Sequence, residues 1–334
     1  MRIQSLSIGL LAALALAPVA DAAKPAASAA STATPPVPLL WKVADADNEL
    51  YLLGSFHMLK PSDYPLSVDV DGAFDDAEAL IFELSPEEMT SPQLAMAMGQ
   101  AALRTDGTPL NSELPAPTVA KLDAWLAANS DGLKAMGLPA QAVQVFEPWF
   151  VGLTFAIVEM GKLGLDPQIG LDMHLIGRAA KAAKPATGLE KGSEQIALFD
   201  GMSKVEQLQF LESSLDQAAN AKAEIDKLHG AWRSGDHKAL WDAMAVQMRS
   251  ESPQLYQRIN IARNDAWVPK LQRLLDQPSK DDTLVVVGAL HLLGEDGVVE
   301  KLRAKGYKVE RVCSACSGSE RGRAGKRGKT SDKK

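Results

Sequence analysis

Residues 284–291 read LVVVGALH, and residues 51–57, near the other end of the chain, read YLLGSFH. Each is a short apolar run rich in strand formers that breaks at a glycine and then presents an imidazole. Such a run reads as a buried strand whose end delivers a polar group to the rim of a sheet. The chain holds five histidines. Two of them, His57 and His291, stand in matching settings although most of the sequence separates them, and one sheet can bring them together. The preceding glycines have a steric reason: without a Cβ, Gly54 and Gly288 let the backbone leave the strand at unusual dihedrals and let a ligand or second strand come close. A single Gly-x-x-His is read equally well as a histidine hydrogen-bonded at a strand end. Two copies on similar strands favour a shared site.

Outward from these runs, residues 39–43 and 50–54 flank the polar cluster Asp45-Ala46-Asp47-Asn48 and predict a β-hairpin. Residues 79–84, ALIFEL, predict a third strand with Glu83 near its end. Ser85 then suits the N-cap of a helix opened by Pro86, Glu87 and Glu88. Helical apolar spacing follows over residues 94–103, 118–128 and 151–163, separated by proline and glycine breaks. A helix over 170–184 and a short strand over 185–190 come next, then long amphipathic helices over 204–233, 237–249 and 253–275. A strand at 283–288, a helix at 297–305 and a strand at 308–312 close the chain. This order predicts an α/β (α+β) fold: a central mixed β-sheet formed by the N- and C-terminal segments, with a large helical insertion.

The ends read differently from the body. Arg2, an apolar run over residues 6–17 too short to span a bilayer, and Ala20-Asp21-Ala22 predict a signal peptide over residues 1–23. Residues 24–38, nearly all Ala, Ser, Thr and Pro, predict a flexible linker, residues 39–313 a single domain, and residues 314–334 a basic disordered tail. Residues 317–334 carry a net charge of +5, so a whole-chain charge of −7 leaves the remainder at −12. An acidic body with one short basic tail argues against nucleic-acid partners. The mature chain is expected to lack a membrane span and to be periplasmic or secreted. Cys313 and Cys316 can close a local disulfide in an oxidising compartment or bind metal as thiolates; with no further ligands nearby, a structural role is the simpler reading.

The chemistry-bearing candidates lie where strands end. Glu83 follows the third strand at the edge where open α/β sheets hold ligands, and Glu190, in Thr187-Gly188-Leu189-Glu190, repeats that placement, with Gln195 on the next helix. Imidazole is the commonest protein ligand for transition metals. Two imidazoles with one or two carboxylates can hold a divalent ion with a position open for water. Arg263 can stabilise oxyanion charge or grip a substrate carboxylate. Its neighbour Asn264 points another way along a helix, so only one of the two is expected to reach the pocket. His174 reads as a structural or surface residue, and local capping or exposure at a helix end accounts for His229 and His237. Tryptophans at helical spacing read as core. P-loop, dinucleotide, Gly-x-Ser-x-Gly and His-Glu-x-x-His patterns are absent from the sequence.

Five segments carry a resemblance: LYLLGSFHMLKPSDYPL (50–66), ALIFELSP (79–86), IGLDMHLIGRAAKAAKPATGLEKGSEQIALF (169–199), INIARNDAW (259–267) and LVVVGALHLLGEDGVVEKLRAKGYKVERV (284–312). In them the chain resembles the TraB/GumN family, which includes the TIKI proteases and is distantly similar to erythromycin esterases and the haem-binding ChaN proteins. The resemblance implies a metal-dependent hydrolase, in the TIKI branch a peptidase using both Gly-x-x-His motifs. By motif, His57, His291 and Glu83 carry over as ligands of a divalent metal (Mn, Co or Zn). Glu83 also carries over as a catalytic group, with Glu190, Gln195, Arg263 and Asn264 in support and a peptide or protein as substrate. The alternative is a non-catalytic haem, metal or small-ligand binder on the same scaffold.

Overall fold

The computed structural model describes residues 34–316. The expected signal peptide, most of the linker and nearly all of the basic tail lie outside the described residues. Six strands form one sheet: β1 (Leu40–Ala44), β2 (Glu49–Ser55), β3 (Ala79–Phe82), β4 (Ala186–Gly188), β5 (Thr283–Gly288) and β6 (Lys308–Arg311), in the order β4-β3-β5-β2-β1-β6. β2, β5, β3 and β4 run parallel, whereas β1 is antiparallel to both β2 and β6. The sheet is mixed, as the sequence predicts.

The parallel strands explain the unbroken apolar runs. Helices cover both faces of such a sheet, so alternate residues have no solvent side, and every residue of β5 is buried. Removing each of its valines and its leucine from water contributes roughly 1.5–3 kcal/mol before conformational entropy is counted. Register then levels the strand ends: Val286 pairs with both Leu53 and Phe82, and Ser55 with Gly288. At the hairpin, Asp45 Oδ1 accepts the backbone N–H groups of Asp47 and Asn48 at 3.0 and 3.1 Å, which closes the turn. Ser85 caps the helix Pro86–Met89 by accepting the Glu88 N–H.

Two expectations change. The sheet is not built from the chain ends alone, because β4, from the middle, pairs in parallel with β3 (Leu80 to Ala186, Phe82 to Gly188). The helical insertion is therefore two blocks, one between β3 and β4 and one between β4 and β5. The predicted helix over 204–233 is two helices, Lys204–Ala218 and Ala221–Ser234, parted at Asn220, the N-cap of the second. The helix Pro148–Lys162 is apolar nearly all round because it sits between two cores: Phe150 and Leu153 join the main core, while Phe155 and Val158 join a satellite with Leu122 and Leu211. Among the described residues no helix is long and apolar enough to cross a membrane. Cys313 and Cys316 form a disulfide.

The last residues of the predicted linker lie against the body. Arg233 Nη2 donates to Thr34 O at 2.8 Å, and Val37 N–H donates to Arg233 O at 2.7 Å. Near the other end of the domain a near-continuous helix runs from Pro253 to Asp276, widened to π geometry over Gln257–Ile261, one turn before Arg263. Such widened turns recur at functional positions.

Candidate functional site

The four parallel strands deliver four side chains to one edge: His57 follows β2, Glu83 follows β3, Glu190 follows β4 and His291 follows β5. The carboxyl edge of a parallel sheet is where such folds hold ligands. A Cβ built on Gly288 would lie 3.0 Å from His57 Nε2, 3.2 Å from Glu83 Oε1 and 3.6 Å from His291 Cδ2, so the three groups close around this α-carbon. Gly54 likewise admits Ala289, whose Cα would be 3.2 Å from an added Cβ. Neither glycine is left-handed. The expectation of unusual dihedrals is therefore corrected: these positions need glycine for space.

His57 is held through Nδ1, 2.6 Å from Asp172 Oδ2, and its Nε2 faces the site. Burial works to lower its pKa, but the charge and hydrogen bond of Asp172, helped by Glu83, prevail and raise it. His291 is held on both edges: Nδ1 is 2.7 Å from Asn264 Oδ1 and Nε2 is 2.9 Å from Arg263 Nη1. A guanidinium only donates. Nε2 is thus the acceptor, and Nδ1 donates its hydrogen to Asn264. Burial, with the nearby Arg263 charge, pushes the His291 pKa down to about 3. The expectation that only one of Arg263 and Asn264 reaches the pocket is corrected. Adjacent helical residues project about 100° apart, and the imidazole stands between them, so each meets one ring nitrogen.

Arg263 ties the acids together. Its Nη2 donates to Glu83 Oε2 at 2.5 Å and also to Glu190 Oε1, while its Nε lies 3.1 Å from each Glu190 oxygen. Gln195 Nε2 donates to Glu190 Oε1 at 2.7 Å and to Glu83 Oε2 at 3.3 Å. Gly288 N–H donates to Glu83 Oε1 at 2.7 Å. The two acids respond in opposite directions. Burial alone would raise both; for Glu83, Arg263, the two imidazoles and the Gly288 amide outweigh it and hold the pKa well below the carboxylate range. For Glu190 burial wins over Arg263, and the Glu83 charge adds to it, so the pKa is raised.

Two residues of the site escaped the sequence reading. Trp267 lies in the core as its helical spacing predicts, and it also packs its ring 4.4 Å from that of His291 and donates its Nε1 hydrogen to Glu190 Oε2 at 3.2 Å. Asp172 lies in the first turn of the helix Leu171–Ala182, on the buried face with Leu171, Leu175, Ile176 and Ala179. An acid on an otherwise apolar helical face was the available signal. His174 stays outside the site, its ring tilted against that of Tyr64 with centroids 4.5 Å apart. His237 begins the helix His237–Trp241 behind its N-cap Asp236. For His229 the capping or exposure account is corrected: the ring is buried, its Nε2 lies 2.8 Å from Asp63 Oδ2, and it stacks on Trp232.

The donor set fits a divalent transition metal in kind. Each imidazole is anchored through Nδ1 to a side-chain oxygen and turns Nε2 inward, as metal-binding histidines do, and Glu83 Oε1 lies 3.9 Å from His291 Nε2. Arg263 competes with such an ion, since it takes the His291 lone pair and a Glu83 oxygen. Among the described residues, the group of His, Cys, Asp or Glu side chains whose ligand atoms all fall within 4.8 Å of one another is Glu49, Asp76 and Asp282, at the opposite edge, so His57, Glu83 and His291 would have to draw closer together to hold an ion. At that opposite edge Lys42 and Tyr51 already donate to Glu49, and Tyr51 also donates to Asp76.

Two predictions follow from this packing. A Cβ on Gly170 would lie 2.0 Å from His57 O, where backbone meets backbone. Gly170→Ala is expected to cost about 1–3 kcal/mol or more in urea denaturation, since neither segment yields by a rotamer change. The second concerns acid. Folded His291 resists protonation until about pH 3 against an ordinary value of 6.5, so the unfolded chain binds the proton first and stability falls as pH drops below 6.5. His57 acts with the other sign: its raised pKa stabilises below the ordinary value, and that contribution is lost as pH rises through the folded value. The low pKa of Glu83 stabilises above the ordinary carboxylate range and is lost only in stronger acid. The melting temperature of His291→Gln should therefore vary less than that of wild type between roughly pH 6.5 and 4.

Strand order and converging side chains define an α/β domain with a paired-histidine site at the sheet edge. The chain belongs to the TraB/PrgY/gumN family, whose model matches residues 39–311. It is similar to the uncharacterized protein YbaP of Escherichia coli (strain K12), 25% identical over 260 residues that cover 77% of this chain and 89% of the relative. It is equally similar to the uncharacterized protein YbaP of Shigella flexneri, 25% identical over 256 residues covering 76% and 87%. No solved structure matches the chain.

Proposed function

We propose that the protein is an exported hydrolase of peptide bonds assisted by a divalent metal ion. The observation that carries this reading is the closure of His57 Nε2, Glu83 Oε1 and His291 around Gly288. His57 and His291 would hold the ion through Nε2 and Glu83 through its carboxylate. When bound, Mn, Co or Zn supplies a Lewis acid that polarises a carbonyl and lowers the pKa of water. Glu83, kept ionised by its neighbours, is a standing acceptor that orients a water O–H, and as a weak base it suits ligation better than proton removal. Glu190, Glu83, His291 and the Ile259 carbonyl take all five Arg263 donors, so to stabilise negative charge on a carbonyl oxygen Arg263 would have to release one of them. Asn264 keeps the His291 hydrogen on Nδ1, and Glu190 with Trp267 holds Arg263 in its fork. The side chains of Glu83, His291 and Arg263 expose only 6%, 7% and 12% of their surface, which strengthens every charge interaction among them. Export is supported by the pattern of residues 1–23.

The test uses the chain purified without residues 1–23. Divalent ions are stripped and restored one at a time, and cleavage of a peptide library is followed. Turnover that disappears on stripping and returns with Mn, Co or Zn is the expected result. A second reading draws on the closed ion-pair network of Arg263, Glu83 and Glu190, which is satisfied without chemistry and suits a non-catalytic binder of metal, haem or a small ligand. Stoichiometric uptake without turnover decides for that reading.

A further inference from the structure

We infer that Asp172 is a positioning residue that, with Ser55 behind it, fixes a hydrogen of His57 on Nδ1 and turns Nε2 toward Glu83. The inference rests on the proposed function for its kinetic and metal-binding consequences alone. Asp172 is 3% exposed and lies in the first helical turn, where the positive end of the helix favours a carboxylate. Its Oδ2 is 2.5 Å from Ser55 Oγ and 2.6 Å from His57 Nδ1. A carboxylate accepts from both, so the serine hydroxyl and the imidazole Nδ1 are the donors. The hydrogen bond at one ring nitrogen sets what the other can do.

The surrounding backbone makes this contact part of the fold. Leu171 N–H donates to Phe56 O at 3.1 Å, and Gly170 lets the helix start lie against the His57 carbonyl. Ser55 ends β2 opposite Gly288. The helix, the strand end and the histidine are thus locked to one another before any ligand arrives. A second Asp–His pair, Asp63 with His229, provides a contrast. There Arg233 shares the carboxylate, and Nε2, the nitrogen that faces the site in His57, is the one bound to the acid. That pair anchors the loop after His57 and offers nothing to the site.

Asp172→Asn tests the role, because an amide can donate to Nδ1 and so drive the hydrogen to Nε2. In nitrogen-15 spectra of the metal-free full chain, recorded at a pH above the raised His57 pKa so that the ring is neutral, wild-type His57 should carry its hydrogen on Nδ1, and Asp172→Asn should move it to Nε2. By calorimetry, zinc affinity should fall about 10- to 100-fold. On peptide substrate kcat should fall with KM little changed, and Asp172→Glu should restore part of the loss. Unaltered His57 nitrogen signals with zinc affinity within twofold of wild type overturn the inference. If Asp172→Asn does not fold, Ser55→Ala should give a smaller change in the same direction, and no change there overturns it as well. A wild-type protein that binds no metal and cleaves no peptide sinks the proposed function, while the nitrogen spectra still decide on Asp172.

Discussion

Arg263→Met should lose roughly 3–5 kcal/mol of folding stability at neutral pH, because removing one partner of a buried ion pair leaves an uncompensated charge. Methionine keeps most of the stem volume, so the loss reports charge more than packing. Glu83 and Glu190 would remain side by side, each less than a tenth exposed, with the cation that bridges them gone. Urea denaturation at two pH values checks the cause. In wild type the depressed Glu83 pKa contributes stability that is lost as acid titrates it. In the variant the same carboxylate is held above its ordinary value by burial, so lowering the pH should return stability. Zinc or manganese should raise the melting temperature of the variant more than that of wild type, because the ion no longer displaces a guanidinium from His291 and Glu83. A variant as stable as wild type at neutral pH would mean that Arg263 does not hold these acids in solution.

His57→Ala, His291→Ala and Glu83→Gln should each lower kcat on peptide substrates by about 10²–10⁴-fold, the range for loss of one positioned group in acid–base or charge-stabilising roles. The three groups meet at one glycine and, on the proposed function, would act on one centre, so the His57→Ala/His291→Ala double variant should be little worse than the more damaged single variant. His174→Ala supplies the control. Its ring lies tilted against that of Tyr64, 4.5 Å away between centroids, so turnover should stay within a few-fold of wild type while the melting temperature falls slightly. A loss in His174→Ala equal to that in His57→Ala, in a folded protein, would move the site.

Much of this was legible before the fold was seen. Apolar runs ending in Gly-x-x-His mark β2 and β5 because a strand buried on both faces needs an unbroken apolar stretch, and that requirement is local. Glu83 and Glu190 were legible for the same reason, each following a short strand at a turn. The helix break at Asn220 was not. Its apolar spacing continues across residues 204–233, and only packing separates the two helices. Asp172 shows locally only as an acid on an apolar helical face, and its partner His57 lies 115 positions earlier, beyond the reach of any local pattern.

The sequence by itself determined the strands, most of the helices, the polar groups at the strand ends and the family to which they belong, since side-chain periodicity and turn chemistry act over a few residues. Tertiary structure alone decided the order β4-β3-β5-β2, which sets β5 between β2 and β3 and so brings His291 to His57 and Glu83. It also decided which nitrogen of each imidazole is tied and which faces inward. Those outcomes depend on hydrogen bonds to Asp172, Asn264 and Arg263, from helices that pack against the strand ends. Contacts of that kind are settled by packing across the whole core, and no local pattern encodes them.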